Sequence, residues 1–571
     1  MHPLLLMVLV FIGYIIMYRV YGRFISRKIF KIKDKYQLPS KEFEDGIDYV
    51  PTKREIIFGH HFASIAGTGP IVGPAIAIIW GWVPAVLWVF FGSIFIGAVH
   101  DFGVLVASLR NRGVSIAEIT GIYINKRTKV FFFIIGFLEL WIFIAILGLV
   151  MAIIFNLYPG AVLPVWLEIP IAILLGYMVY SKGKNYLSWS IIAVIIMYIT
   201  VVLGNWIPIQ LDEFLGIPAT GLWTIILLIY AFIASVLPVT TLLQPRDFIN
   251  SHQLLIAMGL LIIGVVVSSF GDGFTMVAPE IQLKPEGAPA IWPFIFIIIA
   301  CGAVSGFHAL VSSGTTSKQI SSEKDALFVG YGSMIMEGVL ATLVIIAVAA
   351  GIGMGYETAE GEVLEGIPAW TNHYASWSSA QGLASKVSAF VMGSANIISS
   401  IGIPKSIAII IMGVFVASFA GTSLDTSTRL QRYFLHELVG RKRSSILNDR
   451  YVGTAIVVIT AAALAFISGA DGKGALSLWP LFGAINQILA TLALFVLTIY
   501  LQKRGKWKWL VTGIPAIFMG IVTLWAAIIN QFDFANQENI LLEIINIVII
   551  VLAVWIIIEI ILKFSRIYKV L

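Results

Sequence analysis

Residues 59–80 are apolar enough to cross a bilayer, yet they cannot form one continuous helix. Gly67, Gly69, Pro70, Gly73 and Pro74 crowd the middle of the stretch, and glycine and proline are the residues that helices tolerate least. Backbone released from helical hydrogen bonding survives at membrane depth only where protein buries it or where it lines a polar cavity. An interrupted membrane helix is therefore either a tightly packed kink or a binding site between two half-helices. The neighbouring His60 and His61 favour the second reading.

The rest of the chain supplies the setting. Of its 571 residues 59% are hydrophobic and only 12% are charged, against about 25% charged in soluble proteins. At about 20 apolar residues per crossing, the sequence divides into about 15 spans: 3–17, 59–80, 83–109, 129–155, 162–182, 186–207, 220–243, 253–270, 291–319, 326–354, 404–430, 451–468, 477–501, 508–530 and 540–563. The first span lacks the leading charges and cleavage site of a signal peptide, and a basic run from Arg19 to Lys35 follows it. Basic residues flank cytoplasmic ends. With the N-terminus outside and the C-terminus inside, Arg110, Lys182, Arg246, Lys318, Arg429, Arg432, Arg441, Lys442, Arg443, Lys503, Arg504, Lys506 and Lys569 all fall inside. The acidic Asp212, Asp272 and Glu360 fall outside. Counting 383–402 as a crossing would break this pattern, so 357–402 reads as an external segment with short helices dipping onto the protein. The net charge of +6 is what such loops produce and calls for no nucleic-acid partner. One cysteine, Cys301, leaves neither a disulfide framework nor a cysteine-based metal site.

A second interrupted span runs from Ala300 to Lys318, with Gly302, Gly306 and Gly314 among Ser305, Ser312, Ser313, Thr315 and Thr316, and again a histidine, His308. It comes seven spans after the first in the count above, so the two breaks enter the membrane from opposite sides. That parity is what an inverted repeat requires.

The runs Gly59-His60-His61-Phe62-Ala63-Ser64-Ile65-Ala66-Gly67-Thr68-Gly69-Pro70-Ile71-Val72-Gly73-Pro74, Val99-His100-Asp101-Phe102, Gln244-Pro245-Arg246-Asp247, Ser305-Gly306-Phe307-His308, Ala420-Gly421-Thr422-Ser423-Leu424-Asp425-Thr426-Ser427-Thr428-Arg429 and Trp479-Pro480-Leu481-Phe482-Gly483-Ala484-Ile485-Asn486-Gln487 resemble those of the carbon starvation protein A (CstA) family. The resemblance implies a transporter of the cytoplasmic membrane related to the amino acid–polyamine–organocation superfamily. It implies an all-α polytopic fold with a LeuT-like core of two inverted five-helix repeats, and uptake of pyruvate with proton coupling, or of peptides. Laid on the chain, 1–55 holds the first helix and a basic loop. Residues 56–290 hold the first repeat with an inserted helix pair, 291–505 the second repeat with the external segment 357–402, and 506–571 two peripheral helices.

A carboxylate cargo needs donors near mid-membrane. The span interiors show essentially no Lys or Arg, which leaves backbone N–H groups and hydroxyls. A helix restarting near Gly73-Pro74 would turn its free N–H groups and positive end toward Gly67, Thr68 and Gly69. Ser312, Ser313, Thr315 and Thr316 add hydroxyls, serving either the cargo or close helix packing. Ionisable groups inside spans are functional candidates. His60 and His61 diverge by about 100° on a helix, so one lines the pathway while the other packs. They, His308 and the His100–Asp101 pair are open to proton exchange or to structural hydrogen bonding. Ser418, Thr422 and Asp425 share one helix face at spacings of four and three. That face suits Na⁺ or a proton, with an Asp425–Arg429 ion pair as the alternative. Glu139 and Glu337 lie deep in their spans, and Asn486 and Gln487, following Trp479-Pro480, mark a third interruption in which they serve as ligands or as polar packing. An enzyme is not expected: His60, His61, His100 and His308 lack metal-ligand spacing, and no cofactor or resident metal is called for. The expected partners are a small substrate (pyruvate, or else a peptide or amino acid), H⁺ or alternatively Na⁺, and the lipid bilayer. A channel would need a ring of like polar groups, and none is visible.

Overall fold

The computed structural model describes residues 2–34, 36–271, 273–358, 361–439, 446–505 and 507–570. Lys35, Asp272, Glu360, Arg441, Lys442, Arg443 and Lys506 of the charge pattern lie outside the described residues, as does the Lys569 side chain. The chain is an all-α polytopic bundle. In order it runs α1 (Pro3–Phe30), α2 (Arg54–Ile65), α3 (Gly69–Trp80), α4 (Trp82–Leu109), α5 (Ile116–Tyr123), α6 (Lys126–Leu157), α7 (Pro159–Ser181), α8 (Tyr186–Trp206), α9 (Ala219–Val236), α10 (Leu243–Ser268), α11 (Ile291–Ile298) and α12 (Gly306–Gly314). It continues with α13 (Glu323–Met354), α14 (Leu383–Ser399), α15 (Lys405–Leu438), α16 (Arg450–Ala465), α17 (Gly474–Gln502), α18 (Leu510–Asn536) and α19 (Ile540–Arg566). Among the described residues 12 helices are long and apolar enough to span a membrane, or 13 when the bent pair α2–α3 counts as one. The expected spans 291–319 and 451–468 are shorter helices, α11 with α12, and α16.

Both breaks are present. At the first, α2 and α3 meet at 45°, and the helix restarts at Gly69, so Gly73 and Pro74, where the sequence places the restart, lie within α3. The glycines are there because another chain segment takes the space of a side chain. A Cβ on Gly73 would lie 2.4 Å from the Ile298 carbonyl oxygen, and one on Gly69 would lie 2.4 Å from the Cys301 side chain. The second break is residues 299–305, between α11 and α12. The two interruptions thus pack directly on each other.

The polar backbone freed at the second break is paired side chain by side chain, as burial in the membrane demands. Gly302 N–H donates to Glu337 Oε1 (2.9 Å), Phe307 N–H to Asn486 Oδ1 (3.0 Å), Gln487 Nε2 to the Phe296 carbonyl (2.9 Å), and Trp88 Nε1 to the Ile299 carbonyl (3.0 Å). Asn486 and Gln487 lie within a continuous α17 and complete the neighbouring break instead of making one of their own.

Segment 357–402 carries the edge of a two-strand hairpin (Tyr356–Glu357 with Val363–Leu364), helices Gly366–His373 and Trp377–Ala380, and α14. It lies on α3: Tyr374 donates its hydroxyl to the Ala75 carbonyl (2.5 Å), and Trp377 packs on Trp80 with ring centroids 5.5 Å apart.

Candidate functional site

A cavity of about 670 Å³ opens between the two breaks. Thr68, Gly69 and Gly73 form one wall, Ala300 and Cys301 another, and Phe143, Trp479, Phe482 and Asn486 the rest of the interior. Toward the surface it passes Trp377, Gln381 and Lys386 and ends at Asp533 and Gln537 of the α18 terminus, where Asp533 is exposed. Three of the expected substrate residues, Thr68, Gly69 and Gly73, therefore line this cavity. Gly67 does not: its Cα faces Ser423, whose hydroxyl oxygen a Cβ there would meet at 2.5 Å. Ser312, Ser313, Thr315 and Thr316 also lie away from it, buried farther along α12 and the turn after it. Ser313 accepts from the Ile116 N–H (3.0 Å) and donates to the Ala309 carbonyl (2.6 Å). Thr316 pairs with His61 Nδ1 (2.8 Å).

Beside the cavity lies a buried chain of ionisable groups. Cys301, on the cavity wall, is followed by Gly302, whose N–H binds Glu337. The other Glu337 oxygen is 3.4 Å from His308 Nε2. His308 Nδ1 is 3.0 Å from Asp101 Oδ2, and Asp101 Oδ1 is 2.8 Å from His100 Nδ1. The side chains of all four ionisable groups are fully enclosed. His308 stands between two carboxyl groups. At 3.4 Å the Glu337 contact is an ion-pair distance without hydrogen-bond geometry: His308 Nε2 and Glu337 Oε2 have no hydrogen-bond partner among the described residues. Cys301, His308 and Glu337 also bring one ligand atom each within 4.8 Å of one another, the one such trio among the described residues.

A second buried network surrounds Arg246. From sequence alone this arginine stands at the end of a span, with essentially no Lys or Arg in the span interiors. The structure keeps Arg246 near that end, in the first turn of α10, which starts at Leu243, but buries its side chain, 1% exposed. Arg246 pairs with Asp425 and Tyr230 and with Glu168 (3.3 Å). Tyr230 donates to Asp425 (2.8 Å), Ser418 to Glu168 (2.9 Å), and Asn250 to Thr422 (2.8 Å). Asp247 pairs with His60. Ser418, Thr422 and Asp425 do share a face, but that face meets α7, α9 and α10. The hydroxyls that α15 turns to the first break are Ser423, which donates to the Ser64 carbonyl (3.2 Å), and Thr426, 3.2 Å from Ser64 Oγ. Arg429 pairs not with Asp425 but with Asp48 (2.7 Å). Removing one partner of a buried ion pair strands the others, at a cost of about 3–5 kcal/mol. Arg246→Met is accordingly expected to lower the thermal midpoint of the detergent-solubilised protein sharply, and an unchanged melting curve would contradict the pairing. Glu139, also buried, leaves both oxygens without a hydrogen-bond partner among the described residues.

On the side away from the cavity mouth, the loop between α1 and α2 closes the bundle. Asp48 accepts from Arg429 and from the Tyr433 hydroxyl (2.5 Å). Thr52 N–H donates to the Gln319 carbonyl (2.9 Å), and Arg110 binds Glu323 (2.5 Å). Burial alone would raise the Asp48 carboxyl, but Arg429, Arg432 and Lys318 overcome it and hold it at about 2. A carboxylate with its pKa held down gives its stabilisation above the ordinary carboxylate range and loses it only as pH falls toward 2. The latch therefore stays charged across the physiological range.

A polytopic bundle in which two interrupted helices share one cavity is a membrane transporter. The chain belongs to the CstA family: the family model "Carbon starvation protein CstA" matches residues 2–526. Among its relatives are "Peptide transporter CstA" of Helicobacter pylori (strain J99), 32% identical over 92% of this chain and 81% of that one, and "Pyruvate/proton symporter BtsT" of Escherichia coli K12, 32% identical over 92% and 81%. "Peptide transporter CstA" of Bacillus subtilis is 32% identical over 97% and 96%. Solved structures of an Eremococcus coleocola manganese transporter (11% identity, TM-score 0.45, 92% of this chain and 99% of that one) and of MhsT with L-phenylalanine (13%, TM-score 0.45, 83% and 98%) are also similar.

The residues that sequence reasoning missed are Lys386, Glu168, Arg246 as a core group, and Ser423 with Thr426. Gln244-Pro245-Arg246-Asp247 carried a signal, since four polar or breaking residues beginning an apolar helix mark a buried site as readily as a loop end.

Proposed function

We propose that this protein imports a small carboxylate, pyruvate first, across the cytoplasmic membrane by proton-coupled alternating access. The observation that carries the reading is the buried His308–Asp101–Glu337 cluster, a set of groups able to exchange a proton, joined through the Gly302 N–H to the break that walls the cavity. A neutral carboxylic acid accepts a hydrogen bond more weakly than a carboxylate. Protonation of Glu337 would loosen its hold on Gly302, and proton occupancy would thereby bias the geometry of the break. With the mouth open on the external side and the Asp48 latch closed on the cytoplasmic side, cargo and proton would load together, and release would follow opening of the latch. The name of the Escherichia coli relative supports pyruvate and H⁺ as cargo and driver. A peptide remains the second reading, favoured by the size of the cavity and by the names of the other relatives.

The test is uptake of labelled pyruvate into proteoliposomes under an imposed pH gradient, under a sodium gradient and with neither, with unlabelled dipeptides as competitors. Accumulation with the pH gradient alone is the expected result. Uptake only of labelled dipeptide would replace pyruvate with the peptide reading, and accumulation driven only by sodium would remove the proton from it. Because Cys301 lines the cavity and is the sole cysteine, a small maleimide is further expected to label the protein, with saturating pyruvate slowing labelling severalfold. Labelling at the same rate with and without pyruvate would count against the cavity as the cargo site.

A further inference from the structure

The cavity wall carries one ammonium, Lys386, and one carboxylate, Asp533. They are not equivalent. Asp533 is exposed at the rim, where water and salt screen it. Lys386 is only 6% exposed, no carboxylate of the described residues lies within ion-pair distance of it, and its one charge contact is the face of Trp479, 5.7 Å from the ammonium to the ring centroid. A buried cation without a counter-ion is costly to keep. Its position adds to that cost: Lys386 sits in the first turn of α14, where the helix dipole favours negative charge and disfavours positive. Gly382, the residue before that turn, brings no capping side chain. Gln381 and Lys386, on either side of this start, both line the cavity, whereas residues 382–385 between them do not. Burial lowers the ammonium to about 8, which leaves it charged at neutral pH.

We infer that Lys386 forms an anion subsite that binds the carboxylate of the cargo. The inference rests on the carboxylate-importer reading above. The missing counter-ion is the cargo itself, with the Trp479 face beside it and the apolar wall of Phe482 and Phe143 available to the rest of the molecule. The subsite selects for a free carboxylate: an ester or amide of the same cargo would leave the ammonium unpaired. It also assigns a role to segment 357–402, because the residue that recognises the anion belongs to the segment that covers α3.

The experiment measures equilibrium binding of labelled pyruvate and of labelled dialanine to the purified full-length protein, to Lys386→Gln and to Lys386→Arg, with pyruvamide and dialanine amide as competitors. Melting curves of the three proteins identify any variant that fails to fold, and Lys386→Arg keeps the test open if the glutamine variant is lost. The expected result is binding of at least one of the two acids by the wild type, weakened 10-fold or more in Lys386→Gln, largely kept in Lys386→Arg, and competed poorly by the amides. Unchanged affinity in Lys386→Gln, amides as potent as acids, or wild-type binding of neither acid would overturn the subsite. Binding of dialanine without pyruvate, lost in Lys386→Gln, would uphold Lys386 while removing pyruvate from the functional reading.

Discussion

His308→Gln is expected to abolish accumulation driven by a pH gradient, by 100-fold or more, while substrate counterflow across the same vesicles survives. Glutamine preserves much of the volume of the ring and can still hydrogen-bond, but it cannot exchange a proton near neutral pH. The contacts of His308 with Asp101 and Glu337 join α4, α12 and α13, so a smaller residue would confound loss of the proton with loss of packing. Glu337→Gln is the complementary change: a permanently neutral acceptor at the Gly302 N–H should mimic the protonated state and make exchange independent of external pH. If both variants accumulated substrate at the wild-type level, the coupling unit would have to lie elsewhere, and the Arg246 network, which holds three carboxylates against one guanidinium and one imidazole, would be the next place to test.

Gly73→Leu is expected to reduce transport to background in a protein that still inserts into the membrane. Even a methyl group at this position would overlap the Ile298 carbonyl, 2.4 Å from the built Cβ, and that neighbour is backbone that cannot rotate away. Gly69→Leu meets Cys301 Cβ and Sγ, both at 2.4 Å; side-chain rotation moves the sulfur but not Cβ, so a comparable defect is expected. Uptake at wild-type rates in both variants would argue that the two breaks do not need to touch.

Both breaks were legible in the sequence because they are local. Glycine and proline act on their own backbone, and their crowding between 67 and 74 disfavours a single helix whatever packs around it. The pairings were not legible. His308, Asp101 and Glu337 are separated by up to 236 positions (337 − 101), and nothing in a single sequence orients three helices about one axis. Adjacent residues misled for a related reason. Asp425 and Arg429 are placed for an ion pair along one helix, yet tertiary packing gave each a partner from another element. Lys386 escaped notice because it falls in the external segment 357–402, and short helices dipping onto the protein give no sign of which side chain is buried. Only the folded chain reveals that Lys386 is enclosed, 6% exposed, at the end of a first turn that is otherwise exposed or half-buried.

The side chains of Asn486 and Gln487 hold the second break open from a continuous helix that itself contributes Trp479 and Phe482 to the cavity. The wall of the cavity is thus assembled during folding, before any molecule arrives. Little conformational entropy is then left for binding to remove, and a ligand of few atoms can be held with useful affinity. Such a preformed wall suits a ligand too small to reshape its host.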